Sequence, residues 1–127
     1  MAKELSSHLD CEYECLLKSR DPETGRVDME PPESDLCNKD VIIYDDIASS
    51  GGTTEMAYRL SETSGPRSLT VAIPHLWTAQ GINRLSVLGS MELITTNSFR
   101  TEHVKKSFTE LSLEPMIIKH LQDLSNK

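Results

Sequence analysis

The sequence has no excess of positive charge. It holds 13 lysines and arginines against 20 aspartates and glutamates, a formal net charge of −7. A protein that tracks a nucleic-acid backbone needs a basic face, so the balance argues against such a partner. No apolar run reaches the length of a membrane span. The start, MAKELSSHLD, lacks the apolar core of a secretory signal. A cytoplasmic protein with no membrane partner is expected. Cysteine is scarce: Cys11, Cys15 and Cys37 form an odd set with no C-x-x-C pair. No His or Cys group stands at zinc spacing, so reduced, partly buried thiols are expected rather than metal ligands. There is no GxxxxGK[ST] and no GxGxxG, which excludes a Walker-type loop and the dinucleotide fingerprint. Internal repeats and low-complexity tracts are also absent.

What remains is enough for a core. Hydrophobic residues make up 37% of 127 positions, which suits one globular domain or a piece of one. Residues 2–9 read as a helix with Ala2, Leu5 and Leu9 on one stripe. Residues 12–18, EYECLLK, read as a strand with Tyr13, Cys15 and Leu17 on one face. Residues 19–38 are rich in proline, glycine and acids. They suit a long mobile loop or a loose hairpin turning at Thr24-Gly25.

Order returns at Asp40. Val41 to Tyr44 is a continuous apolar run, as in a central parallel strand. Residues 54–64 predict a helix with Met56, Ala57 and Leu60 inward, stopped by Gly65. A buried strand over 68–73 is cut by Pro74 before His75. Residues 78–88 predict an amphipathic helix with Ile82, Leu85 and Leu88 aligned, and 91–95 another strand. Residues 101–111 fit neither period. A last helix opens near Glu114-Pro115, proline being tolerated at its first position. Its expected buried stripe is Ile117, Ile118, Leu121 and Leu124.

Strands alternating with helices predict an α/β fold with a mainly parallel sheet. Ligands of such sheets lie beyond the carboxyl ends of the strands. Asp45-Asp46, Pro74-His75 and Thr96-Asn97 all fall there. His75 suits a ligand contact or a structural role. His8, His103 and His120 suit the surface. Core packing is the default for Trp77, a loop-edge anchor or an oligomer contact being the alternatives.

The stretch VIIYDDIASSGGTT, residues 41–54, concentrates the chemistry. Ser49, Ser50, Gly51, Gly52 and Thr53 would present successive backbone N–H groups where a helix begins. Glycine lets an anion approach, and the helix dipole favours negative charge. Asp45 and Asp46 cannot bind phosphate. They can accept hydrogen bonds from vicinal hydroxyls or help hold a divalent cation. Together the two halves suit a sugar phosphate such as ribose 5-phosphate. An ordinary strand-to-helix turn with a Ser or Thr cap fits the same letters.

VIIYDDIASSGGT resembles the ribose-phosphate loop of the type I phosphoribosyltransferase fold. Within that fold the chain is most similar to ribose-phosphate pyrophosphokinases of the archaeal type. Lys18-Ser19-Arg20 resembles their K-x-R catalytic loop, and VDMEPPESDLCNKDVIIYDD their lead into the cradle. VAIPHLWTAQGINRL and ELITTNSF resemble their strand–His–helix and Thr-rich strand end.

The resemblance implies a three-layer α/β/α domain over residues 1–127, with the mobile loop at about 19–38. It implies transfer of a diphosphate from ATP to the 1-hydroxyl of ribose 5-phosphate, with release of AMP, for nucleotide biosynthesis. Asp45 would take the ribose hydroxyls and Asp46 support the loop or the ribose. Ser49, Ser50, Gly51, Gly52 and Thr53 would hold the 5-phosphate, while Lys18 and Arg20 close over the migrating phosphates.

Mg2+ is implied as cofactor, with its main ligands outside this chain. The family's amino-terminal domain, carrying much of the ATP site, has no counterpart here. Its first strand, between those of residues 12–18 and 41–45, would lie upstream of Met1. The chain alone is then expected to form no AMP, and to join copies of itself or related subunits. A non-catalytic ribose-phosphate-binding or regulatory remnant is the alternative, and a phosphoribosyltransferase the third.

Overall fold

A computed structural model describes residues 2–89, 91–99 and 108–125, so His103 lies outside the described residues. The elements are α1 (Ala2–Leu9), β1 (Lys18–Arg20), β2 (Val27–Met29), β3 (Asp40–Tyr44) and β4 (Ile47–Ala48). They continue as α2 (Gly52–Glu62), β5 (Ser68–Ile73), β6 (His75–Leu76), α3 (Ala79–Ser86), β7 (Glu92–Thr96), β8 (Thr109–Leu111) and α4 (Glu114–Ser125).

β3, β5, β7 and β8 form a four-stranded parallel sheet in that order. Each helical crossover carries the chain to the next strand, as parallel pairing requires. Alternation then sorts the side chains. Leu69, Val71 and Ile73 of β5 and Leu93 of β7 point to one face and are buried. Tyr58 of α2 and Ile82 and Leu85 of α3 join them in one cluster, so both helices cover that face. Val71, Ile73 and Leu85 are fully enclosed. Each such aliphatic side chain contributes about 1.5–3 kcal/mol. The Ile82, Leu85, Leu88 stripe is therefore the core seam that its spacing predicts.

The first third departs from the expected strand at 12–18. Only Lys18 of that stretch is extended in a sheet, and Tyr13 and Leu17 are exposed. A strand needs a neighbour for its backbone groups. Among the described residues only the end of this stretch has one, at Leu17 and Lys18 beside residues 29–30, and the outer edge of β3 pairs with no strand. The chain is held otherwise: the Glu14 carboxylate accepts from the N–H groups of Glu33 and Ser34 at 2.7 and 3.1 Å. A hydrogen bond from the Ser34 side chain, with these backbone bonds, lowers the pKa of Glu14.

Residues 18–29 form an antiparallel hairpin that pairs Lys18 with Met29 and Arg20 with Val27. Its turn is built by Asp21, whose carboxylate caps Glu23 N–H and Thr24 N–H at 2.8 and 2.9 Å. Gly25 then takes φ of +70°, a conformation glycine adopts without strain.

Two more expectations are corrected. All three cysteines are exposed, because the strand and the packing that would have covered them do not form. The α4 stripe is also open: Ile117, Ile118, Leu121 and Leu124 are each more than half exposed, and no residue of the helix is buried. Its apolar spacing is real, but among the described residues nothing packs on it.

Candidate functional site

The carboxyl ends of β3, β5 and β7 converge as the parallel order demands. The His75 N–H donates to the Asp46 carbonyl at 3.3 Å. The Thr96 hydroxyl donates to the Pro74 carbonyl at 2.6 Å. β4 and β6 extend this edge as a short parallel pair, Ile47 opposite His75 and Ala48 opposite Leu76. Residues 49–51 then turn the chain into α2.

The turn does not contain an ordinary cap. Gly51 stands at the N-cap in the left-handed region, φ 72° and ψ 3°, with no side-chain hydrogen bond to the helix. Its carbonyl accepts the first helical bond, from Glu55 N–H at 2.9 Å. The N–H groups of Gly52, Thr53 and Thr54 precede that bond, and no described residue accepts from them. Three aligned donors at the positive end of a helix can receive an anion. α3 shows the contrast. There Thr78 caps in the usual way, its hydroxyl accepting from Gly81 N–H at 3.1 Å.

α3 also shapes the turn. The Thr78 hydroxyl donates to the Ser49 carbonyl at 2.7 Å. A β-carbon on Gly81 would lie 2.3 Å from that carbonyl oxygen, so only glycine lets α3 come this close. Gly51 is hemmed in as well: a β-carbon there would meet Leu85 Cγ at 3.2 Å and the Gly81 carbonyl at 3.3 Å. Gly52 is different. Its β-carbon would meet only the tip of Arg84, at 2.8 Å, and Ser50 Oγ, at 3.8 Å. Thr78, Gly81 and Arg84 pack against the turn, although reading the 49–54 stretch alone does not reveal them. The available signal was a glycine inside a helical pattern, which costs about 1 kcal/mol and calls for a packing reason.

Asp45 is half-buried at the floor. Its Oδ2 accepts from the Thr54 hydroxyl at 3.1 Å, which fixes the carboxylate beside the turn. Burial raises its pKa, with the Asp46 charge adding to the rise, against the Thr54 hydrogen bond and the Lys18 charge. Lys18 is thus within electrostatic reach of Asp45. Both line one open groove of about 790 Å³, which Thr53 and Thr54 also border. Asp46 is exposed and turned aside, its Oδ1 accepting from Ile47 N–H at 2.8 Å. Arg20 lies exposed on β1 and does not line the groove. Ser49 and Ser50 are exposed above the turn.

The donor set does not make a magnesium site. Asp45 and Asp46 each have an oxygen engaged by a protein donor, and no three His, Cys, Asp or Glu side chains converge among the described residues. His75 is fixed by a 2.9 Å hydrogen bond between Nδ1 and Ser98 Oγ. Trp77 is not in the core. It is 55% exposed and stacks on Phe99 at a ring distance of 5.7 Å. Among the described residues, no helix is long and apolar enough to cross a membrane.

A model described as the phosphoribosyl transferase domain matches residues 1–106. A ribose-phosphate pyrophosphokinase of Sulfurisphaera tokodaii is 37% identical over 113 residues, covering 87% of this chain and 39% of that protein. One from Saccharolobus solfataricus is 39% identical over 99 residues, covering 76% of this chain and 34% of that protein. The chain therefore spans about two fifths or less of the length of these curated relatives. The crystal structure of a phosphoribosylpyrophosphate synthetase from Mycobacterium smegmatis shares the fold. Its TM-score is 0.65 at 23% identity, over 82% of this chain and 35% of that one. The strand–Asp-Asp–turn–helix unit lies inside the matched residues, and the chain belongs to the phosphoribosyl transferase domain family.

Proposed function

We propose that the chain supplies the ribose 5-phosphate half of a ribose-phosphate diphosphokinase. The observation that carries this is the uncapped start of α2, opened by Gly51, beside the half-buried carboxylate of Asp45. The N–H groups of Gly52, Thr53 and Thr54, with the hydroxyls of Ser49, Ser50 and Thr53, receive the 5-phosphate. Asp45 accepts from the ribose hydroxyls, and Asp46 steadies the turn through its bond to Ile47.

Residues 1–127 act as one truncated domain in this reading. The hairpin of residues 18–29 belongs to the mobile segment and carries Lys18 and Arg20 over the site. Lys18 is already close enough to act on Asp45.

In the complete reaction the 1-hydroxyl oxygen of ribose 5-phosphate attacks the β-phosphorus of ATP. The bridging oxygen leaves with AMP, and the hydroxyl proton is released. Phosphoryl-type transfer rests on positioning and on charge stabilisation, which paired cations on a closing segment supply. ATP and magnesium enter with the rest of a complete enzyme in the cytoplasm, and the chain joins copies of itself or related subunits. This chain alone forms no AMP.

Titration calorimetry with ribose 5-phosphate and inorganic phosphate tests the reading. The protein is expected to bind ribose 5-phosphate the more tightly, and Asp45→Asn to erase that preference while keeping phosphate. Equal affinity of the unsubstituted protein for both would remove the ribose assignment.

A further inference from the structure

Arg84 is a cation that the reading above leaves without a task. It projects from α3 toward the first turn of α2, and its side chain is 38% exposed. Its Nη1 lies 2.8 Å from where a β-carbon of Gly52 would be, so the guanidinium rests against the backbone of the turn. Gly52 is the first residue of α2, and Cα–Cβ bonds in a helix tilt toward its start. The guanidinium therefore lies beside the first turn of α2, against Gly52 and next to Glu55.

Its present partner is loosely held. Arg84 Nε is 3.5 Å from Glu55 Oε2, longer than a hydrogen bond between charged groups. Glu55 is served better by Arg59, whose Nη2 and Nε reach Oε1 at 2.8 and 3.0 Å. Losing Arg84 would leave Glu55 paired. Arg84 can thus turn to a new acceptor at small cost, and a phosphate dianion is the acceptor a guanidinium matches best, through two parallel N–H groups.

We propose that Arg84 is a phosphate-binding residue of the cradle, exchanging Glu55 for the phosphate of a pentose 5-phosphate when that ligand enters. This rests on the cradle reading. It assigns the residue that supplies positive side-chain charge to the phosphate and makes Glu55 its gatekeeper. Phosphate must draw Arg84 away from a carboxylate, so Glu55 weakens binding of any anion there. The absence of a side chain at Gly52 keeps the guanidinium against the turn.

The test is calorimetry of ribose 5-phosphate and of inorganic phosphate with Arg84→Met, Arg84→Lys and Glu55→Gln. A charge-assisted hydrogen bond corresponds to about 10- to 100-fold in affinity. Arg84→Met is expected to lose that factor for both ligands, and Arg84→Lys to recover part of it. Glu55→Gln is expected to bind both more tightly, and that gain is expected to shrink in the double variant Glu55→Gln with Arg84→Met, which a merely structural role of the pair would not produce. Should Arg84→Met fail to fold by circular dichroism, Arg84→Lys decides: weaker binding of both ligands supports the assignment, and unchanged binding overturns it. Unchanged affinity in folded Arg84→Met overturns Arg84 alone. Absence of any ribose 5-phosphate binding by the unsubstituted protein overturns the cradle, and the role of Arg84 with it.

Discussion

Gly81 lies against the carbonyl of Ser49 so closely that a β-carbon would stand 2.3 Å from its oxygen. The first turn of α3 is thereby the back wall of the turn into α2. Gly81→Ala must push the two apart, and overpacking of this kind costs about 1–3 kcal/mol. A lower melting temperature and weaker ribose 5-phosphate binding are expected together. Gly52→Ala meets only a movable arginine tip and is expected to cost less stability. Equal melting temperatures for the two variants would contradict the close approach.

Burial works against the charge of Asp45. Its pKa is raised by desolvation, so the folded state favours the protonated acid. The stability this provides is full below the ordinary aspartate range and is lost as pH rises through the raised value. Above that range the buried charge is a cost to stability. Asp45→Asn is therefore expected to melt higher than the unsubstituted protein at pH 7, with the gap closing as pH falls. Thermal scans between pH 3 and 7 check this, and a lower melting temperature at pH 7 would refute it.

Asp40 behaves in the opposite sense. It ties the start of β3 to β5 through the Arg67 guanidinium and the Ser68 hydroxyl. Hydrogen bonds from these two lower its pKa from 3.8 to about 2. The stability it gives is present above 3.8 and lost as pH falls toward about 2. Exposure and screening keep the effect small. Urea midpoints for Asp40→Asn are expected to lie below those of the unsubstituted protein above pH 4 and to merge with them near pH 2. A difference independent of pH would contradict the pairing.

The open face of α4 has its own consequence. Ile117 and Leu121 are 53% and 58% exposed, so Ile117→Glu with Leu121→Glu should change stability by no more than about 0.5 kcal/mol for each substitution. A buried stripe would lose about 2–5 kcal/mol at each position. Chemical unfolding separates the two cases.

These elements also show what was legible in the letters. β3, β5, β7 and the Ile82, Leu85, Leu88 seam follow from local period, because their partners lie within the chain. Residues 12–17 and α4 carry equally good local patterns, yet pattern alone cannot supply a neighbour. Tyr13, Leu17, Ile117 and Leu121 are exposed for that reason. The same holds at the site. Gly51, Gly52 and Asp45 stand together in sequence and announce an anion turn. Thr78, Gly81 and Arg84 reach it from another helix, through contacts that no spacing rule within residues 41–54 encodes.

Amide chemical shifts of the nitrogen-15-labelled protein, titrated with ribose 5-phosphate, test the central claim most directly. Free N–H groups at the start of α2 must become donors to the phosphate. The account predicts the largest proton shifts, downfield, at Gly52, Thr53 and Thr54, saturating with one ligand per chain. Unmoved amides at these three positions while ligand binds elsewhere would contradict it.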